Sequence, residues 1–91
     1  MEASERVAAI EQRLEDAFSP ESLLVEDQSH LHVGHEGAKD GRGHFRVMIV
    51  SDAFAGMNAI ARHRAVYAAM GELMTTDIHA LSIEAVASSE L

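Results

Sequence analysis

The 91-residue sequence predicts an α+β domain with helices set over a small sheet. Three observations lead there. Apolar residues recur at helical spacing near the start and again after residue 58. The clearest strand is "HFRVMIVS", residues 44–51. The order of elements keeps the helices apart from two adjacent strands joined by one long loop, which suggests an antiparallel hairpin.

Each element has its own signature. Val7, Ile10, Leu14 and Phe18 are spaced by 3, 4 and 4 residues, one apolar stripe on a helix from about Ser4 to Phe18. Ser19-Pro20 stops it, because proline cannot continue a helix. Leu23 to Gln28 reads as a strand. In the next strand, His44 to Ser51, Phe45, Val47 and Ile49 share one face while Arg46, Met48 and Val50 share the other. "SDAFAGMN" reads as a turn ending in a helix cap at Asn58. The following helix is expected to run to about Met74, with His63, Val66, Tyr67, Met70, Leu73 and Met74 as its packed stripe, and to break at Thr75-Thr76-Asp77. A last strand, Ile78 to Val86, carries His79, Leu81, Ile83 and Ala85 on one face, which places His79 on the core side. Residues 86–91 are expected to fray.

Composition narrows the function classes. The size fits one domain, residues 1–91. No apolar run approaches the roughly 20 residues that span a bilayer. The N-terminus lacks the basic and apolar regions of a secretory signal, so a cytoplasmic protein is expected. The net charge of −8 opposes a phosphate backbone. With no cysteine, the chain supplies neither a disulfide nor a thiolate. No nucleophile–base pair, phosphate loop or paired-carboxylate pattern is visible, so no enzyme is predicted.

The chemistry gathers in "SHLHVGHEGAKDGRGHF", residues 29–45, which holds His30, His32, His35 and His44 and four of the six glycines. A loop of this length is uncommon in a compact domain and is often functional. Its histidine density points to metal or cluster ligation, although His44 could simply begin the strand. "HLHVGH" matches the H-x-H-x-x-H pattern of metallo-β-lactamase-type hydrolases, but that fold needs further ligands and far more chain. "GHEG" fits the G-x-x-G clamp of KH domains, yet it carries an acid and lies between strands. "RHR", Arg62 to Arg64, is the one compact basic cluster. On a helix its two arginines diverge by about 200°, so a capping or ion-pairing role for one of them competes with nucleic-acid contact.

"VEDQSHLHVGH", "HFRVMIVSDAFAG", "RHRAVYAAMGEL" and "IHALSIEA" occur in an order and spacing that resemble the BolA family, from about Arg6 to Glu90. The resemblance implies a KH type II-like fold in the order helix-strand-strand-helix-helix-strand, a three-stranded sheet with helices on one face. It also implies partnership with a monothiol glutaredoxin in iron–sulfur trafficking or iron regulation. In such complexes a [2Fe–2S] cluster bridges the two proteins, with thiolates from the glutaredoxin and from glutathione. The family's C-terminal histidine matches His79. The family's other ligand comes from the strand–strand loop, where His32 fits best and His35 is its close rival. Replacing two thiolates by imidazoles on one iron raises the reduction potential. The family's alternative role, a DNA-binding transcriptional regulator, would use Arg62 and Arg64.

Overall fold

The central strand follows directly from its alternation. In the computed structural model, which describes residues 2–29 and 41–91, β2 spans Gly43–Val50. Phe45, Val47 and Ile49 point into the core and are each at most 1% exposed. Burying each such side chain stabilises the fold by about 1.5–3 kcal/mol. β1, Ser22–Asp27, pairs antiparallel with β2, with Leu23 opposite Ile49 and Val25 opposite Val47. β3, Ile78–Val86, lies on the other side of β2 and runs parallel to it. The sheet order is β1-β2-β3.

Helix α1, Ala3–Phe18, lays its expected stripe on the sheet, with Ile10 and Leu14 buried and Val7 and Phe18 packed beside them. It ends at Ser19, whose φ of 44° turns the chain out of the helix and whose N–H still reaches the Glu15 carbonyl. A 3₁₀ turn, Asp52–Phe54, follows β2. It drops Phe54 into the core with its ring centroid 4.8 Å from that of Phe18. Helix α2, Ala59–Met70, begins at the expected cap, where Asn58 Oδ1 accepts from the Ala61 N–H at 2.8 Å.

Four expectations need correction. The helix after Asn58 does not run to Met74. Gly71, at φ +55° and ψ −131°, breaks it, and α3, Leu73–Thr76, starts afresh. Thr75 and Thr76 are therefore helical rather than breakers. The packed side of α2 is also rotated from the expected stripe: Val66 and Met70 are buried, Arg62 and Ala69 lie partly buried beside them, and His63 and Tyr67 are exposed. Arg62 misled the count, since a charged residue on the inward side breaks hydrophobic periodicity. Residues 86–91 do not fray in the expected way. Ala87 is 1% exposed, and Ser88–Glu90 form a 3₁₀ turn.

The fourth correction bears on function. His79 is exposed, and Ile78 takes the buried place. Gly43 pairs with Ile78 but His44 pairs with Ala80, so His79 is an extra residue in β3. Such a bulge shifts the alternation by one position. Ile78 and Leu81 both reach the core while His79 turns outward.

Candidate functional site

The bulge places His79 at one end of the sheet, beside the start of β2. The His44 side chain lies on the face of β2 opposite Phe45. Its ring centroid is 5.1 Å from that of His79, with the planes tilted by 45°. Arg42 completes the group. Its Nη2 lies 3.1 Å from His79 Nδ1, and its Nη1 donates to the Met74 carbonyl at 3.4 Å.

Hydrogen bonds fix this end of the sheet. Ser29 Oγ accepts from the His44 N–H at 3.1 Å, and the Ser29 N–H donates to Asp27 Oδ1. The Gly43 N–H donates to the Asp77 carbonyl. Arg6 spans the same end, donating from Nε to Asp77 Oδ1 at 3.1 Å and from Nη2 to the Gly41 carbonyl at 2.8 Å. The hydroxyl of Thr76, with help from Arg6 and against the opposing effect of burial, holds the Asp77 carboxyl below its usual range. Residues 29 and 41 thus both sit by the His44–His79 pair. His30, His32 and His35 lie outside the described residues.

The structure brings His79 together with His44 and Arg42, two residues that sequence reasoning did not place there. Only the β2–β3 register makes them neighbours. Among the described residues, no group of three or more histidine, cysteine, aspartate or glutamate side chains could hold a metal ion.

The two arginines of "RHR" part company. Arg62 is 13% exposed at its side chain and is held on all sides. Its Nε donates to the Met57 carbonyl, its Nη1 to the Ala85 carbonyl, and both Nη atoms to Glu90. Tyr67 Oη donates to the Leu81 carbonyl at 3.3 Å. Arg62 and Tyr67 therefore occupy two carbonyls of β3, an edge strand, and leave less of that edge open to another chain. Arg64 is exposed. Arg62 and His63 border an open depression of 290 Å³ that also includes Met57, Ala59, Ala85 and Glu90.

The model of the family described as BolA-like protein matches residues 14–90. The chain belongs to the BolA-like family. It is 42% identical to BOLA1 of the Arabidopsis thaliana chloroplast over 93% of its own length and 55% of that protein's, so it spans about half of that relative. It is 38% identical to a protein of Vibrio cholerae named DNA-binding transcriptional regulator BolA, over 89% of this chain and 74% of the other. Among solved structures, the BolA domain of SufE1 from Arabidopsis thaliana superposes with a TM-score of 0.85 at 36% identity, covering 100% of this chain and 99% of the other. The α+β architecture of this BolA-like protein, a three-stranded sheet with helices on one face, is that of its structural relatives. Among the described residues, no helix is long and apolar enough to cross a membrane.

Proposed function

We propose that this BolA-like protein is a non-enzymatic partner of a monothiol glutaredoxin and shares a bridging [2Fe–2S] cluster with it in iron–sulfur trafficking or iron regulation. The observation that carries the reading is the exposed His79. A bulge turns this imidazole out of the core and sets it at the same sheet end as Ser29 and Gly41, the described residues that flank the histidine-bearing segment. An imidazole held for packing would not need that arrangement.

The donor set fits a shared cluster. One outward imidazole, with one more from the loop, completes half of a [2Fe–2S] coordination sphere and leaves the rest to thiolates from elsewhere. His79 would be the fixed ligand and His32 the loop ligand, with His35 as its rival. When bound, the cluster supplies electron transfer or is itself the cargo. This chain's own part would be to present one imidazole from the end of β3 and one from the segment between β1 and β2.

A DNA-binding reading has the name of the Vibrio cholerae relative in its favour. The placement of Arg62 weighs against it, because its donors are committed within the fold. The net charge of −8 weighs the same way.

The test is anaerobic reconstitution with a monothiol glutaredoxin, glutathione, iron and sulfide, read by visible absorption and circular dichroism. A spectrum that requires both proteins, and is lost with His79→Ala and with either His32→Ala or His35→Ala, is the expected result. A spectrum identical to that of the glutaredoxin alone for every variant would overturn the reading.

A further inference from the structure

Arg42 acts on the ring that the proposed function needs. A guanidinium can only donate hydrogen bonds. With Arg42 Nη2 at 3.1 Å from His79 Nδ1, the Nδ1 lone pair is the acceptor. A neutral imidazole carries one proton, which must then sit on Nε2. Neither nitrogen is ready to bind a metal in that state. The Nδ1 lone pair is engaged by Arg42, and Nε2 holds its proton. Ligation through Nδ1 requires the guanidinium to leave. Ligation through Nε2 requires the proton to sit on Nδ1, where it would face an N–H donor.

We propose that Arg42 is a positioning residue that latches His79 in a non-ligating state, and that the Arg42–His79 hydrogen bond must open before His79 can bind a metal or a cluster. The proposal rests on the reading of His79 as a ligand and adds a control to it. The latch is a side-chain one. The backbone on either side of Arg42 is held, by Arg6 on the Gly41 carbonyl and by the Gly43 N–H on the Asp77 carbonyl. Opening is therefore a swing of the guanidinium, whose contact with the Met74 carbonyl is long at 3.4 Å. In the protein alone, the latch would shield His79 from stray metal.

The first arm of the test uses the protein alone, labelled with ¹⁵N-histidine, at about pH 8, where an ordinary histidine is neutral. Long-range proton–nitrogen correlation should show His79 with its proton on Nε2. In Arg42→Ala the ring should become a mixture of tautomers, and Arg42→Lys, which keeps a donor, should restore part of the bias. A ring protonated on Nδ1 in the natural chain, or a tautomer unmoved by Arg42→Ala, would overturn the proposal. The second arm titrates Zn²⁺ into the protein and follows the His79 ring signals. Arg42→Ala should bind roughly 5-fold more tightly, the cost of opening one hydrogen bond, and His79→Ala should remove the gain. An equal or weaker affinity in Arg42→Ala would also overturn it. Neither arm contains glutaredoxin. A failed cluster reconstitution alongside these expected results would therefore sink the cluster reading and leave the latch standing.

Discussion

Arg62 and Glu90 form a two-pronged ion pair, with Nη1 2.6 Å from Oε1 and Nη2 3.1 Å from Oε2. The pair joins the last turn of the chain to α2, and the same guanidinium reaches the carbonyls of Met57 and Ala85. Three parts of the fold meet on one side chain. Arg62→Ala should therefore lower the urea midpoint clearly. Arg64→Ala, at an exposed position, should change stability by less than about 0.5 kcal/mol. Equal effects of the two variants would show that the Arg62 contacts contribute little. Chemical denaturation of both variants decides it.

The same pair gives the C-terminal turn a pH dependence. The Arg62 guanidinium, and then the Ala87 N–H, hold the Glu90 carboxyl below its ordinary value of 4.5. A carboxyl whose value is lowered in the folded state stabilises that state above its unfolded value and loses the contribution as pH falls through the folded value. The turn should hold at neutral pH and release in acid, below about pH 4.5. The Ala87 amide signal, whose N–H donates to Glu90 Oε1 at 2.6 Å, should report the release. Glu90→Gln should abolish that inflection. An amide that titrates identically in the variant would assign the change to another group.

Ser51 is a buried polar residue whose bonds join two elements. It is 1% exposed. Its hydroxyl donates to the Phe18 carbonyl at 2.6 Å and accepts from the Ala53 N–H at 3.1 Å. Ser51→Ala leaves both partners without it and should cost about 1–3 kcal/mol. A urea midpoint within error of the natural chain would mean that water replaces the hydroxyl.

The contrast between Phe45 and His79 shows what the sequence could convey. Phe45, Val47 and Ile49 alternate without interruption, and all three are buried as the period of two requires. The stripe of α1 was equally legible, because nothing intrudes on its spacing. His79 is counted onto the wrong face because a bulge adds one residue, and nothing in "IHALS" marks it. Gly71 stops α2 with a single backbone rotation that an apolar pattern continuing into Leu73 and Met74 conceals. The candidate ligand His79 could be named from its sequence block. Its neighbours His44 and Arg42 could not, since their proximity exists only once β3 runs parallel to β2 in this register. His32 and His35 remain identified by sequence alone.

His79 should be nearly dispensable for folding. Its ring is exposed and the core place at this end belongs to Ile78. His79→Ala should change stability by less than about 0.5 kcal/mol, as exposed substitutions usually do. The variant then becomes a clean probe in the reconstitution experiment. A loss of more than about 2 kcal/mol would reveal a structural role for the ring and would require Arg42→Ala as the companion measurement.

Gly43 sets the geometry between the two imidazoles. A Cβ added there would lie 2.7 Å from Phe45 Cε2 and 2.8 Å from Ser29 Oγ. The Phe45 ring is buried and cannot swing aside. Ser29 Oγ is held by the His44 N–H. Gly43→Ala must therefore move the start of β2, at a cost of about 1–3 kcal/mol for overpacking. Gly43 also pairs with Ile78 across the bulge, so the shift would reach His79. The variant should be less stable in urea, and the proton–proton cross-peaks between the His44 and His79 rings should vanish. Unchanged stability with the two rings drawn apart would place the strain in the bulge alone. Unchanged stability with the cross-peaks intact would show that the strand absorbs the extra carbon and that this glycine does not set the spacing of the pair.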